Sequence, residues 1–377
     1  MQIYVHEFEC KDMVSPIGET WDFYPYNEYE LEEICFFDIE TTGLSAATSN
    51  IYLIGAGYYE KEKGIFKVVQ WFADDYNSEK DMLKEFLGFL KKYKVLFQYN
   101  GNTFDIPYVR TKCKRHRIDC SILQELKHVD LYVSLRKYAG MLGLENKKLK
   151  SFEKYIGLDR EDEFDGGALI DVYVEYVHNK ILRKENEPLL HLLLLHNYED
   201  ITGLSQVAAL LYLKELGNMK VNYEYSELSE DDSMLDICYK GLFPYECEFV
   251  ADGNIECVCT NKDVRISVPI KNDLLKYYFS DYKDYYYMIE EDTVMHKSVA
   301  VYADSSVRRK AKKAECFVKK EGNYLPVKKQ GCFSDKYHIF KKEYTSKEYY
   351  IDIDEINQFG EDEKVIFYEK YFLQLFN

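Results

Sequence analysis

The sequence predicts an α/β domain over residues 31–216 and a β-rich accessory domain over residues 217–377, with residues 1–30 as an N-terminal extension. Three observations predict it. Short apolar runs alternate with helix-period segments from Ile34 onward. A long stretch from Val129 to about Leu213 is mainly helical in pattern. After Gly217 the pattern becomes short period-two runs separated by turn signals.

Taken in order, Gln2 to Phe8 is a possible strand in an aromatic, acidic extension. ICFFDIE reads as a buried strand ending in acids, and IYLIGAGYYE and GIFKVVQWF read as two further strands of a meander. Ser78 is a candidate cap for a helix to about Lys92, with Glu79 and Asp81 in its first turn. VLFQYN is a fourth strand, and Thr103 is a candidate cap for the next helix, whose first turn tolerates Pro107. The helical stretch then includes NKKLKSFEKY, a loop at Asp165, Gly166 and Gly167, and the amphipathic LLHLLLLHNYEDITGLSQVAALLYL. In the second domain LFPYECEF, NIECVCT and VRISVPI read as strands separated by the turns ADGN and TNKD. Ser305 to Lys313 reads as helical, and EKVIFYEKYFLQLF as a closing helix.

Composition narrows the class. The chain of 377 residues is 46% hydrophobic and 31% charged, enough for a packed core, which excludes global disorder. No apolar run approaches a membrane span, and MQIYVHEFECKD lacks the basic start and apolar run of a secretory signal, so a cytoplasmic protein is expected. The ten cysteines lack metal-ligand spacing and are expected to be reduced and mostly buried; Cys257 and Cys259 share a strand face. The net charge of −17 conceals two basic islands. Residues 110–154 hold 12 Lys/Arg against 5 Asp/Glu, and residues 297–342 hold 13 against 4. In the first, Arg115, Arg117, Lys147, Lys148 and Lys150 are candidate phosphate contacts. The second, with Arg308, Arg309, Lys310, Lys312 and Lys313, is a candidate second nucleic-acid surface, although basic runs also serve as solvated faces. Tyrosine clusters such as DYYYMIE suit base stacking and strand formation equally. His116, His128 and His191 read as structural.

The chemistry is concentrated in acids. Asp38 and Glu40 are two apart at the end of a predicted buried strand, so they emerge on one face and repel each other. A hard divalent cation would relieve that repulsion. Asp105 enters at a helix N-terminus, where the dipole favours a carboxylate. His196 and Asp200, at i and i+4, face the same way on the late helix.

FFDIETTGL resembles the first motif of the DEDD exonucleases of the RNase H-like superfamily, YNGNTFD the second and HNYED the third. The arrangement is most similar to the YprB-type RNase H-like family and covers about residues 30–215. The resemblance implies an RNase H-like fold with a mixed central sheet flanked by helices. It also implies two divalent cations, Mg²⁺ or Mn²⁺, held by Asp38, Glu40, Asp105 and Asp200. By the same resemblance Thr41, Thr42, Gly43 and Leu44 meet the terminal nucleotide, and Asn100 helps to position it. Gly43 also fits a turn glycine, and Leu44 a core leucine. The implied activity is 3′-to-5′ exonucleolytic hydrolysis of DNA or RNA, with a single-stranded 3′ end as partner. The alternatives are a structure-specific endonuclease and a non-catalytic nucleic-acid-binding scaffold of the same fold.

The departure from the family pattern is the general base. The residue four before Asp200 is His196, so histidine stands where the family has tyrosine, and its ordinary pKa near 6.5 suits a water-orienting base. Tyr198 projects from another helix face, and Glu199 is a rival ligand pointing about 100° away.

Overall fold

The computed structural model describes residues 1–10, 29–162, 164, 166–241, 246–251, 254–260, 262–328, 333 and 336–376. They form two compact units, Met1–Lys214 and Glu215–Asn377. In the first unit the strands are β1 (Gln2–Glu9), β2 (Ile34–Thr41), β3 (Ile51–Glu60), β4 (Ile65–Phe72), β5 (Val95–Gln98) and β6 (Lys127–Asp130). They make one mixed sheet in the order β1-β4-β3-β2-β5-β6. The pairs on the β1 side are antiparallel, while β2 with β5 and β5 with β6 are parallel. The N-terminal extension therefore supplies an edge strand of the main sheet.

Helices cover both faces, as parallel strand pairs require. Helices α1 (Glu79–Leu90) and α2 (Asp105–His116) pack Met82, Phe86, Ile106 and Val109 against Cys35, Phe37, Ile39 and Ile54. Two short helices, α3 (Ile122–Glu125) and α4 (Leu131–Leu135), flank β6. Helices α5 (Leu149–Tyr155), α6 (Gly166–Ile181) and α7 (Glu187–Val207) follow. Leu169, Tyr173, Leu190 and Leu193 of α6 and α7 pack with Tyr52, Leu53 and Phe72. The period-two alternation of β2 thus places Phe37 and Ile39 toward α1 and α2, and Asp38 and Glu40 toward the other face.

Several local expectations are corrected. Thr103 does not cap α2; Phe104 occupies the cap position, and the Thr103 hydroxyl donates to Asn100. Gly166 and Gly167 begin α6 instead of forming a loop, and Asp165 lies outside the described residues. Strand β6 falls in a stretch expected to be mainly helical, because KHVD has no alternation and becomes a strand only through its pairing with β5. Ser78 does precede α1, but Glu79 turns inward. It accepts from the Ile51 N–H and from His116, and pairs with the fully buried Lys112 at 3.3 Å. A buried amine needs such a partner.

The second unit contains a five-stranded antiparallel sheet in the order β7-β8-β11-β10-β9. Its strands are β7 (Asn222–Leu228), β8 (Met234–Lys240), β9 (Cys247–Ala251), β10 (Ile255–Cys259) and β11 (Asp263–Pro269). Some residues of LFPYECEF and of the ADGN and TNKD turns lie outside the described residues. Strands β12 (Lys271–Tyr278), β16 (Phe317–Val327), β17 (Phe340–Lys341) and β18 (Tyr349–Asp352) close a small barrel. A third sheet joins β13 (Tyr285–Met288), β14 (Thr293–His296) and β15 (Arg308–Lys310). Short helices α8 (Lys297–Ala300) and α9 (Ile353–Asn357) precede the closing helix α10 (Glu361–Phe376), which buries Phe367, Tyr371 and Phe372.

Ser305 to Lys313 is not helical. Arg308–Lys310 is a strand because its guanidiniums lie over tyrosines of β13, Arg308 4.9 Å from the Tyr286 ring centroid and Arg309 4.5 Å from that of Tyr287. Two of the DYYYMIE tyrosines thereby stack on arginine, and the third, Tyr285, stacks on Phe279. Several cations of this island are neutralised in place, Arg309 by Glu315 and Lys297 by Asp284 at 2.6 and 2.7 Å. The nine cysteines among the described residues are free thiols. No helix among the described residues is long and apolar enough to cross a membrane.

Candidate active site

The site is built where β2 ends, and glycine makes room for it. Asp38 lies directly across the ladder from Gly55 of β3. A Cβ on Gly55 would fall 2.1 Å from Asn197 Oδ1, so the missing side chain lets α7 lie against the sheet. Asn197 fills the space: its Nδ2 donates to Asp38 Oδ2 at 3.0 Å, and its Oδ1 accepts from Gln70 Nε2 at 3.0 Å. Gly203 makes room in the same way further along α7, where a Cβ would meet Glu153 Oε1 at 1.7 Å. Gly55→Ala is therefore expected to displace Asn197, lower stability by about 1–3 kcal/mol through overpacking, and weaken whatever activity depends on Asp38. Gly88→Ala, at an exposed position of α1 where nothing lies within 4 Å of the new methyl, is the control and is expected to gain about 0.4–1 kcal/mol; thermal unfolding of both variants checks this.

The acids from separate stretches meet here. Burial, followed by the charges of Asp200, Glu40 and Asp105, pushes Asp38 well above the usual carboxylate range, against the hydrogen bond from Asn197. Glu40 is driven the same way by burial and by Asp200, Asp105 and Asp162, with Arg160 opposing. Asp105, at the first position of α2, is pushed up to about 7, chiefly by burial. Backbone hydrogen bonds, including one involving Ile39, oppose that rise, while Asp130 and Asp200 add to it. The structure thus brings Asp38, Glu40, Asp105 and Asp200 into one mutually repelling group.

Helix α7 supplies the other side. His196 is buried, and its Nε2 lies 3.6 Å from Glu40 Oε1 and 3.7 Å from Asp200 Oδ2. Its Nδ1 lies 2.6 Å from Asp162 Oδ2. Lys150 Nζ donates to the same Asp162 oxygen at 3.0 Å and to Phe164 O at 2.6 Å, so this lysine is occupied inside the site instead of standing free for phosphate. Arg160 forms a fork on Glu153 at 2.5 and 2.6 Å and lies 2.5 Å from Asp200 Oδ1. Glu199 points elsewhere, accepting the N–H groups of Glu161 and Asp162 at 2.8 and 3.0 Å. Tyr198 packs its ring on His6, 5.1 Å between centroids.

The loop residues divide into two groups. Thr41 donates through Oγ1 to Gly43 O at 3.0 Å, and the same carbonyl accepts from Tyr108 at 2.9 Å. The Thr42 hydroxyl accepts from the Asn50 N–H at 2.9 Å. A Cβ on Gly43 would meet Ser49 Oγ at 2.5 Å, which is a packing reason for glycine. Leu44, by contrast, is 88% exposed, which removes the core explanation for it. Asn100 takes the left-handed backbone (φ 62°), and Asp130 fixes its loop by accepting the N–H groups of Asn100 and Asn102 at 3.0 and 3.1 Å.

Sequence reasoning did not single out Asn197, Asp162, Arg160 or Glu153. Only the density of charge in LKSFEKYIGLDRED hinted at the last three. As for a cation, Glu40, His196 and Asp200 each offer one ligand atom, all within 4.8 Å of one another. Adjacent ligand atoms about 2.1 Å from an octahedral ion lie about 3.0 Å apart, so spacings of 3.6 and 3.7 Å would close by about half an ångström around one. An acidic, oxygen-rich donor set whose repulsion Arg160 relieves only partly fits a hard divalent cation.

Residues 35–212 match the family model of the RNase H superfamily. The uncharacterized protein YprB of Bacillus subtilis (strain 168) is 29% identical over 203 residues, 53% of this chain and 46% of that protein. A DNA polymerase of Methanocaldococcus jannaschii is 29% identical over 103 residues, 19% of this chain and 6% of the polymerase. Among solved structures, the zinc-bound complex of E. coli exonuclease I with single-stranded DNA is 16% identical, with a TM-score of 0.28, covering 58% of this chain and 54% of that one. The chain therefore spans less than half the length of the curated relatives it matches. Its first unit is an RNase H-like domain, similar in sequence to YprB.

Proposed function

We propose that the RNase H-like unit is a metal-dependent 3′-to-5′ exonuclease that hydrolyses terminal phosphodiester bonds of DNA or RNA and releases nucleoside monophosphates. The observation that supports this most directly is the convergence of four acids, in which burial and then neighbouring charge, that of Asp200 included, push Asp38, Glu40 and Asp105 above the ordinary carboxylate range. A fold that only held nucleic acid would gain nothing from negative charge where a phosphate must sit. On this reading the four acids hold two divalent cations, Mg²⁺ or Mn²⁺. When bound, such ions polarise a phosphodiester and stabilise the leaving oxygen.

The chain's own residues supply the rest. Asn197, itself held by Gln70, fixes the orientation of Asp38. His196 turns Nε2 toward Glu40 and Asp200, where it can take a proton from the attacking water. Leu44, exposed and four residues after Glu40, is assigned to contact with the terminal base, and Thr41, Thr42, Gly43 and Asn100 to shaping the surroundings of that base. The expected result is stepwise shortening of a 5′-labelled single-stranded oligonucleotide in Mn²⁺, arrested by chelator. Cleavage of a circular single strand would instead assign endonuclease chemistry, and binding without cleavage would assign a scaffold.

A further inference from the structure

We infer that Asp162 is a positioning residue that fixes the tautomer of His196, so that an imidazole lone pair, not an N–H, faces the acid cluster. The inference rests on the nuclease reading for its consequence, but not for its geometry.

Both oxygens of Asp162 accept from donors other than His196: Oδ1 from the Phe164 N–H at 3.0 Å and Oδ2 from the Lys150 ammonium at 3.0 Å. That arrangement suits a carboxylate. An ionised carboxylate only accepts, so the 2.6 Å contact requires the proton to be on His196 Nδ1. Neutral histidine in water prefers its proton on Nε2, so Asp162 reverses the intrinsic preference. In the neutral ring Nε2 is then the nitrogen without a proton, 3.6 Å from Glu40 Oε1 and 3.7 Å from Asp200 Oδ2. An Nε2–H there would block both uses of the ring, as acceptor of a proton from water and as ligand to a cation.

Asp162 is itself fixed from four directions. Lys150 donates to the oxygen shared with His196, the Phe164 N–H donates to Oδ1 at 3.0 Å, and the Asp162 N–H donates to Glu199, one residue before Asp200. The loop that carries Asp162 is thereby clipped to the helix that carries His196 and Asp200. Asparagine cannot reproduce this pattern. With its oxygen toward Phe164, its amide N–H groups face Lys150 and His196 Nδ1; with its oxygen toward Lys150 and His196, they face the Phe164 N–H. Either way a donor meets a donor, or the ring must change tautomer.

The test combines ¹⁵N NMR of the His196 ring in the full-length, chelator-treated protein, at a pH where the ¹⁵N shifts themselves show a neutral ring, with steady-state kinetics on an oligonucleotide in Mn²⁺. Wild type is expected to show the Nδ1–H tautomer, and Asp162→Asn and Asp162→Ala a shift toward Nε2–H. In both variants kcat is expected to fall about 10- to 100-fold while KM stays within about threefold. An Nε2–H tautomer in wild type overturns the inference without any variant having to fold, and so does wild-type kcat in a variant whose tautomer has moved. Wild-type protein that shows Nδ1–H but cleaves nothing would count against the nuclease reading alone and leave the tautomer assignment standing.

Discussion

Asp38→Ala is expected to abolish metal-dependent cleavage, with kcat lowered by at least about 10³-fold, and to leave the fold intact. The size follows from what a held cation contributes to the transition state, several kcal/mol, at about 1.4 kcal/mol per factor of ten. The intact fold follows from the electrostatics. Asp38 is already disfavoured as an anion by burial and by Asp200, Glu40 and Asp105, so its removal relieves repulsion among the remaining acids. Asn197 loses its acceptor at 3.0 Å but keeps Gln70 on its other end, which limits the cost. The measurement is paired: cleavage of a labelled oligonucleotide in Mn²⁺, and thermal unfolding in chelator. Wild-type activity in the variant would remove Asp38 from the site. Lost activity accompanied by a large fall in melting temperature would make its role structural.

Burial, with this repulsion added to it, gives the metal-free protein a pH dependence of known sign. Asp105 is pushed up to about 7 in the folded chain, whereas an unfolded aspartate titrates near 3.9. Between these values the native state holds a proton that the unfolded state has released, so stability falls as pH rises through the window and levels off above it. Below about 4 both states are protonated and the penalty vanishes. A divalent cation opposes this loss by favouring the ionised acids, and it therefore stabilises more at the alkaline end than at the acid end.

The features of this site that were legible in the sequence are those set by local periodicity. Asp38 and Glu40 must share a face because strand side chains alternate, and His196 and Asp200 must share one because they are a helical turn apart. The strands β2 to β5 were legible for the same reason, each carrying its own apolar run. What was not legible depends on which distant segments touch. Asp162 is 34 residues before His196 and becomes its partner only when the loop after α5 folds onto α7. Arg160, in an ordinary charged stretch, becomes the internal counter-ion of Asp200 and Glu153. Gly55 is one of two glycines in an apolar strand, and nothing local announces that Asn197 will occupy the place of its side chain. Lys150 read as a free cation for phosphate because its partner lies in a loop without a pattern. The strand at Arg308–Lys310 was missed because cation stacking on the tyrosines of β13 overrides a helical local composition.

His196→Ala is expected to lower kcat by about 10²- to 10⁴-fold, the range for a lost acid–base group. The residue stands four positions before Asp200, on the same helix face, with its ring buried and Nε2 turned to Glu40 and Asp200. Two roles fit that placement and predict different data. If the ring takes a proton from the attacking water, the acid limb of the pH–rate profile belongs to His196 and disappears in the variant, while the Mn²⁺ concentration for half-maximal rate hardly changes. If Nε2 is instead a third ligand beside Glu40 and Asp200, the acid limb persists and that Mn²⁺ concentration rises. In that case Mg²⁺, which favours oxygen ligands, should support the variant relatively better than it supports wild type. The proposed assignment is the base, so an unchanged pH profile would remove His196 from that role. Asp162 lies behind the ring in either case, because both roles require Nε2 to be free of a proton. Histidine in this slot brings a group with an ordinary pKa near 6.5 where tyrosine would bring one near 10, and so moves the pH at which a water-orienting base can work toward neutrality.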